Sequence, residues 1–322
     1  MLQTYSVKKL RYDSKIINFM SWNKIALITS ILFLLISGTI ICTKGFNWGI
    51  DFTGGKVIEI SLEKPINLDF LRKGLIELGF QKPIVQHFGS NLDVIIRITS
   101  YNKLSSQEIR KKVIVFINNN LHQKVIIKRI EIVGPSVGND LAQTGIIAIS
   151  LAFIAILVYI GFRFEWRLSL GTILALIHDI IITCGILSFF YIELDLTIIA
   201  SLMSVISYSL NDKIVVFDRI RENFRKINNS SSYEITNLSL NQTMSRTIIT
   251  SLITLTMILI LFIFGGSMLK SFSLTMLIGV IIGIFSSIYI SSALALKLGM
   301  KREHMLIHQI EKEGDDHSSI LP

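Results

Sequence analysis

The sequence has little cysteine, little charge and no nucleotide-hydrolysis motif. Its two cysteines, Cys42 and Cys184, lie in apolar stretches and provide neither a disulfide framework nor a metal-binding spacing. There is no Gly-rich P-loop, so ATP hydrolysis by this chain is not expected. Charged residues make up 17% of the chain, and no Lys/Arg cluster is interleaved with aromatics, which excludes nucleic-acid binding despite a net charge of +9.

The histidines do not form a metal-binding or catalytic pattern. His304 and His308 are four residues apart, but no third ligand is evident and the acid-rich tail beside them is typical of a solvated segment. His87 and His122 lack the Ser, Cys or Asp neighbours that nucleophilic catalysis requires. The sequence therefore indicates neither a metal site nor an enzyme.

Apolar residues, in contrast, are abundant. They make up 51% of the chain, and the mean hydropathy is +0.58. Six apolar runs are long enough to cross a bilayer: 25–44, 141–161, 168–190, 196–217, 247–264 and 272–297. The first run is longer than a signal-peptide core and has no small-residue cleavage site before Lys44, so we interpret it as a permanent anchor. The prediction is a polytopic α-helical membrane protein with six transmembrane helices, the last five within 139–298.

A largely polar stretch, residues 45–138, separates the first two runs. Its periodicity predicts two helices, 68–78 and 105–119, the second with Ser105 or Ser106 as N-cap. It also predicts four strands, at 56–63, 83–88, 92–99 and 124–133. The order βαββαβ predicts a small ferredoxin-like α+β domain outside the membrane.

The basic residues predict the orientation in the membrane. The N-terminal tail, 1–24, has five Lys and Arg residues against a single acid, and the C-terminal tail, 299–322, has Lys301 and Arg302 near its start. The loops after the second and fourth runs are also basic, whereas loop 191–195 has neither Lys nor Arg. By the positive-inside rule, both tails are cytoplasmic and domain 45–138 is on the outer side.

The fourth apolar run has a carboxylate, Asp212, with further apolar residues after it. A charge in the membrane costs about 2.5–3.5 kcal/mol even on lenient insertion scales, so Asp212 is expected to face the protein interior and to have a task or a partner. Ser201, Val205 and Tyr208 share its helix face, which is therefore expected to pack against other helices. Alternatively, Asp212 only anchors the cytoplasmic end of the helix.

Other ionisable residues lie in or beside the runs. With a rise of about 1.5 Å per residue, Asp179, next to His178, lies near the membrane midplane and Asp212 lies in the inner third. Arg246 enters the fifth run at the inner surface and is expected to extend toward Asp212. A carboxylate that is alternately desolvated and paired with Arg is suited to a proton relay. The spacing fits equally well a static Asp–Arg pair that only holds helices together.

Several motifs are specific enough to indicate a family. FNWGIDFTGG (46–55) and VGPSVGNDL (133–141) flank the polar stretch, and each alone would indicate only tight Gly-rich turns. Together with ALIHDIIIT in the third run, YSLND in the fourth and FDRIREN after it, they closely resemble the SecD/SecF family of bacterial protein-export subunits, part of the RND superfamily. The resemblance runs the length of the chain, and the six runs match the separate SecF type.

The resemblance implies a multi-pass inner-membrane subunit with a periplasmic domain. It implies pairing with SecD and association with the SecYEG channel and YajC. Such a complex uses the proton motive force, and no bound cofactor, to draw an exported unfolded polypeptide outward after the SecA ATPase has pushed it in. Two other hypotheses remain: a non-conducting scaffold that stabilises a translocon, and an RND-type exporter of small molecules, for which about twelve spans would be expected.

The resemblance also implies functional residues. The family's membrane carboxylate and arginine match Asp212 and Arg246, and its HD pair matches His178 and Asp179. Its DFTGG motif, at the base of the external domain, matches Asp51, Phe52, Thr53, Gly54 and Gly55. Two residues depart from the family pattern: Ser207, where Gly is common, and Lys213, where a small residue is usual. Lys213 is expected either to draw charge toward Asp212 or to extend to the inner face.

Overall fold

The computed structural model describes residues 17–80, 83–88, 90–98, 105–121, 123–228, 230–301 and 303. His122, His304, His308 and the charged tails before residue 17 and after residue 303 lie outside these ranges. Within them, six helices are long and apolar enough to cross a membrane, and we name them the first to sixth spans: Phe19–Lys44, Val137–Arg163, Trp166–Phe189, Leu196–Lys226, Ser232–Phe264 and Leu269–Lys297. The predicted number of spans is confirmed.

The spans are longer at their polar ends than hydropathy indicates. The helix of the fifth span begins at Ser232, whereas its apolar run begins at 247. Ser231 caps this helix. The Ser231 hydroxyl accepts a hydrogen bond from the backbone nitrogen of Glu234, and the Glu234 carboxylate accepts one from the backbone nitrogen of Ser231. The helix of the fourth span likewise continues to Lys226, and that of the second begins at Pro135. Hydropathy marks the apolar part of a helix, while its caps decide where it ends.

The third, fourth and sixth spans form the buried part of the bundle, packed through small residues. A Cβ atom added to Gly279 of the sixth span would lie 2.3 Å from Val205, and one added to Gly283 would lie 3.1 Å from the Ser209 hydroxyl. These are two of the small residues that recur every four positions in that span. Close packing of the fourth and sixth spans therefore leaves no space for a side chain at residue 279, and at residue 283 Ser209 would have to shift by a few tenths of an ångström.

The segment between the first two spans is an α+β domain. Its elements in chain order are β1 (Asn47–Trp48), α1 (Ile50–Thr53), β2 (Gly55–Leu62), α2 (Leu68–Glu77), β3 (Ile84–Phe88), β4 (Ser90–Ile98), α3 (Ser106–Leu121) and β5 (Val125–Val133). Strands β2 to β5 form an antiparallel sheet in the order β3-β4-β2-β5. The predicted ferredoxin-like arrangement is confirmed, as is Ser105 as a helix cap.

The two faces of this sheet differ. On one face, α2 and α3 cover a core that includes Ile58, Ile60, Val94 and Ile96. Alternate residues of the same strands point to the other face, because side chains alternate along a strand. That face lies over the loop between the third and fourth spans, where Glu193–Leu194 forms a short strand, β6, parallel to β1. The domain therefore rests directly on the ends of the spans.

Candidate functional site

A buried polar cluster joins the third and fourth spans. The Lys213 Nζ atom donates to Asp179 Oδ2 at 2.8 Å and to the Ser209 hydroxyl. That hydroxyl donates to the same Asp179 oxygen at 2.6 Å. His178 Nδ1 lies 3.0 Å from Asp179 Oδ1. The Lys213 side chain is 0% exposed and that of Asp179 2% exposed, so this ion pair is enclosed by protein.

Lys213 does not extend to the inner face, and its hydrogen-bonded partner is Asp179. Toward Asp212, which the sequence also suggested, it acts only through its charge. The physical reason is that consecutive residues are turned by about 100° around a helix. Lys213 therefore points toward the third span, where the Asp179 carboxylate is buried and attracts a cation. The i, i+4 spacing of Ser209 and Lys213, together with a membrane-embedded Asp179, was a sequence signal for this contact.

Asp212 itself is buried, and one of its carboxylate oxygens has no hydrogen-bonding partner among the described residues. It is 3% exposed, and its Oδ2 atom accepts no hydrogen bond from any residue that the structure describes. Lys213 and Arg246 both interact with it through their charge. Arg246 is exposed, and the described structure contains no ion pair between it and Asp212. The Asp–Arg pair expected from the sequence is therefore open in this structure, because Arg246 lies on the exposed side of the fifth-span helix, next to the buried Thr247.

The fourth and fifth spans are nonetheless in contact beside Asp212. The Tyr208 hydroxyl, one helical turn before Asp212, donates to Ser251 Oγ at 3.1 Å. Tyr208 is on the face predicted to pack against other helices, and this contact confirms that packing. The hydrogen bond places the fifth span, which carries Arg246, against the Asp212 region.

A second group of motif residues lies at the other end of the fourth span. The Asp51 Oδ2 atom accepts a hydrogen bond from the backbone nitrogen of Leu196, the first helical residue, at 3.0 Å. The N-cap residue Asp195 accepts from the backbone nitrogen of Ile198 at 2.8 Å. Two carboxylates thus occupy the N-terminus of this helix, where the helix dipole favours negative charge.

The glycines of the DFTGG motif allow backbones to approach closely. Gly54 and Gly55 have φ angles of +67° and +145°, which L residues with side chains rarely adopt. A Cβ atom on Gly55 would lie 3.0 Å from the Ile98 carbonyl oxygen. From the second span, a Cβ atom on Gly138 would lie 2.9 Å from the Gly54 nitrogen. The motif therefore connects β2 to the start of the second span without space for side chains.

The other two motif residues hold the short helix α1. Phe52 is buried, and its ring packs edge-on against Trp48 with centroids 5.8 Å apart. The Thr53 hydroxyl donates to the Gly49 carbonyl oxygen at 3.0 Å. Gly49 in turn donates its backbone N–H to the Leu194 carbonyl oxygen at 2.7 Å. These contacts continue the β1–β6 pairing and fix α1 to the loop before the fourth span.

A buried ion pair at this junction was not predicted from the sequence. Arg97 of β4 is 5% exposed, forms an ion pair with Glu193 and donates to Asn47 Oδ1 at 3.3 Å. Burial lowers the pKa of Arg97, although Glu193 acts in the opposite direction. Burial likewise raises the pKa of Glu193 against the influence of Arg97. A charged residue among the apolar residues of β4 was the available signal, but its partner lies 96 positions away in sequence, from 97 to 193.

A cavity of about 160 Å³ lies beside this junction. Its wall includes Glu59 and Glu131 from the sheet, together with Asp51, Glu193 and Asp195 from the junction. The sheet and the ends of the spans are therefore joined at a few contacts rather than packed over the whole face.

Comparisons with known proteins agree with this architecture. Residues 113–301 match the model of the family described as Protein export membrane protein SecD/SecF, C-terminal, and residues 39–66 match that of the SecD/SecF GG Motif. The chain belongs to the SecD/SecF family. The second match covers the segment whose glycines and Asp51 form the junction, and the first covers both Asp179 and Asp212. The family identified from sequence motifs is therefore confirmed.

Individual relatives support the same assignment. Protein translocase subunit SecF of Escherichia coli O157:H7 is 57% identical over 323 residues, with both chains fully covered. SecF of Vibrio alginolyticus is 48% identical over 300 residues, covering 93% of this chain and 95% of the relative. These SecF relatives are translocase subunits, a class of transport component rather than of enzyme.

A solved structure shows the same fold. The crystal structure of SecDF, a translocon-associated membrane protein from Thermus thermophilus, matches with a TM-score of 0.81 and 34% identity. The match covers 88% of this chain and 39% of the SecDF chain. This chain therefore spans about two fifths of SecDF, whereas it corresponds to the whole of the SecF relative from Escherichia coli O157:H7.

Proposed function

We propose that this chain is the SecF-type partner of a SecD subunit in the bacterial inner membrane. Together they use the proton motive force to promote the late steps of export of an unfolded polypeptide through SecYEG. YajC is a further partner, and SecA acts before this step. The 57% identity to an Escherichia coli SecF over its full length, and the similarity to 39% of a SecDF chain, support the pairing with SecD.

The observation that carries this proposal is the buried carboxylate of Asp212. Its Oδ2 atom lacks a hydrogen bond within the described structure. Protonation removes the cost of burying a charge there, whereas the charged form attracts a cation, and Arg246 is on the adjacent span. The Asp212 carboxyl group therefore has two states, protonated and charged, and each state favours different surroundings. One charge crossing about 100 mV supplies about 2.3 kcal/mol, enough to favour one state over the other.

The fourth span links this carboxylate to the α+β domain. From Leu196 to Asp212 the helix rises about 24 Å, and Asp51 binds its first residue. A shift or rotation of the helix that follows a change at Asp212 would therefore act directly on the base of the domain. The proton gradient supplies the energy in this scheme, so no bound cofactor is required.

The orientation follows from the basic residues. Arg163 is the last residue of the second span and Arg167 lies in the first turn of the third, while Arg219, Arg221 and Arg225 lie in the last turns of the fourth span. The positive-inside rule assigns these ends to the cytoplasm. Both termini are then cytoplasmic, and the α+β domain is periplasmic, where it meets the emerging polypeptide.

The test uses membrane vesicles that contain this chain, SecD and the SecYEG channel. Late-stage release of a trapped export substrate is followed with and without an imposed proton gradient. The variant is Asp212→Asn, which keeps the shape of the side chain but not its titratable group. The matched control is Asp218→Asn on the same helix, whose carboxylate is half-exposed and paired with Arg163 at 2.8 Å.

The proposal predicts that the gradient accelerates release with wild-type chain and with Asp218→Asn, and has no effect with Asp212→Asn. Equal amounts of assembled complex must first be shown for all three. If Asp212→Asn responds to the gradient like wild type, Asp212 is structural. The scaffold hypothesis, in which the buried contacts only stabilise the translocon, would then replace the proton-driven one.

A further inference from the structure

Asp179 is also a buried carboxylate of the bundle, and its surroundings differ from those of Asp212. Its Oδ2 atom accepts hydrogen bonds from Lys213 and Ser209, and its Oδ1 atom lies 3.0 Å from a His178 nitrogen. Both of its oxygens thus have partners within the described structure. Asp212, one residue from Lys213, has an oxygen with none.

The ammonium group of Lys213 is equally fixed. It is 0% exposed and donates to Asp179 and to Ser209, one turn before it on the same helix. A fully buried ammonium without a counter-ion is unfavourable in an apolar bundle. Removing the charge of Asp179, by protonation or by mutation, would leave Lys213 in that condition. The pair is therefore stable only when both groups are charged.

We propose that Lys213 is a positioning residue that holds Asp179 as a permanently charged counter-ion, so that Asp212 is the only carboxylate of the two that exchanges protons. This inference rests on the proposed proton-driven function. The pair also fixes the rotation of the fourth span against the third, because the Asp179 contact directs Lys213 toward the third span. Asp212, one position earlier, is then directed away from that contact.

The proposal predicts an unusual pattern in a double-mutant cycle. In Asp179→Asn, Lys213 loses its hydrogen-bonded counter-ion, and the yield of folded, assembled complex should fall about tenfold or more, since breaking a buried ion pair is strongly destabilising. In Lys213→Met, the Asp179 charge is uncompensated and the yield should also fall. In the double variant both charges are absent, and the yield should return to within about twofold of wild type.

The functional readout is gradient-driven release in the vesicle assay described above. We expect the double variant to retain the gradient response, and to lose it when Asp212→Asn is added. If the Lys213–Asp179 pair were only structural, we would expect the double variant to recover its yield. We would then have no expectation about which carboxylate the gradient response requires.

Two results would overturn the proposal. One is a double variant that assembles normally but does not respond to the gradient, because Asp179 would then be a proton carrier itself. The other is an Asp179→Asn variant with normal yield, because Lys213 would then need no counter-ion. Failure of the proposed function would give a different result from both. In that case either the wild-type chain would show no gradient-driven release, or the Asp212→Asn variant would still show it.

Discussion

Asp51 accepts a hydrogen bond from the backbone nitrogen of Leu196, 145 positions away, at 3.0 Å. This contact joins the DFTGG motif at the base of the α+β domain to the first turn of the fourth span. Asp212 and Lys213 lie further along the same span, and Asp179 contacts Lys213 from the third span. The fourth span therefore connects the motif to the buried charges.

The first prediction concerns this contact. Asp51→Ala removes the hydrogen bond and a negative charge from the helix N-terminus, and should destabilise the junction by about 0.5–2 kcal/mol. Gradient-driven release should fall several-fold, because the domain and the helix are less tightly coupled. Asp51→Asn keeps an oxygen acceptor and should be less affected.

The measurement is the same vesicle release assay, accompanied by thermal unfolding of the purified complex. Asp69→Ala serves as control, since Asp69 is an exposed carboxylate of α2 that pairs with Arg72 three residues later. Equal release by Asp51→Ala and Asp69→Ala would show that the contact with Leu196 has no part in coupling.

The second prediction concerns the ion pair between Arg97 and Glu193. Removing one partner leaves the other charge partly buried, so Arg97→Met or Glu193→Gln should each destabilise the domain by about 3 kcal/mol. That value is at the low end for buried pairs because the Glu193 side chain is 22% exposed. The double variant should recover much of the loss. Limited proteolysis of the domain measures the effect, and fully additive losses would contradict a coupled pair.

A third prediction concerns Gly138, in the first turns of the second span. Its missing Cβ atom would lie 2.9 Å from the Gly54 nitrogen and 3.1 Å from the Phe52 carbonyl oxygen. Both are backbone atoms, so Gly138→Ala forces the backbones apart and should cost about 1–3 kcal/mol. Gly161→Ala, in the same helix with nothing within 4 Å of the added atom, is the matched control and should be neutral or slightly stabilising. Thermal unfolding of both variants measures the difference in stability. Equal melting temperatures of Gly138→Ala and Gly161→Ala would contradict the close contact at Gly138.

A fourth prediction is a pH dependence in the α+β domain. Burial alone would raise the pKa of Asp93, but hydrogen bonds from Lys128, Ser61 and Ser90 outweigh it and lower that pKa. The folded state therefore holds the Asp93 proton less tightly than the unfolded state does. The resulting stabilisation is complete above the unfolded pKa of about 4 and is lost as the pH falls through the folded value.

Hydrogen exchange of the β4 amides, corrected for the intrinsic effect of pH, measures this dependence. Protection in wild type should decrease on acidification below about pH 4. Asp93→Asn should show weaker protection near neutral pH and a smaller decrease on acidification. An identical acid profile for the two proteins would rule out a role of Asp93 in acid sensitivity.

Much of the fold was predictable because it depends on local patterns. Apolar runs predicted the six spans, and alternation predicted the strands of the sheet with the correct βαββαβ order. The ends of the helices were less predictable, because caps such as Ser231 with Glu234 act after the apolar residues have ended. The start of the fifth span at Ser232 rather than 247 is the clearest example.

The site was predictable in its members but not in its pairings. Asp179, Asp212 and His178 were predicted as site residues because an ionisable residue in a membrane is costly unless it has a partner or a task. Whether Lys213 meets Asp179 or Asp212 depends on the direction in which each helix face points, which requires the packed bundle. The contacts of Asp51 and Arg97 likewise join segments that are distant in sequence, and no spacing rule predicts them.

A distance measurement shows whether the state of Asp212 is transmitted to the α+β domain. Spin labels at Ile126, exposed on β5, and at Leu269, exposed in the first turn of the sixth span, report the position of the domain relative to the membrane helices. The free cysteines Cys42 and Cys184 are first replaced by serine and alanine. The distance distribution is then compared in wild type and in Asp212→Asn, which mimics the protonated state.

We predict that Asp212→Asn shifts the distribution and that adding Asp51→Ala removes or blurs this shift, because the helix would no longer hold the base of the domain. Asp218→Asn should leave the distribution unchanged. Identical distributions in wild type and Asp212→Asn, in complexes of equal assembly, would contradict the claim that the carboxylate controls the position of the domain.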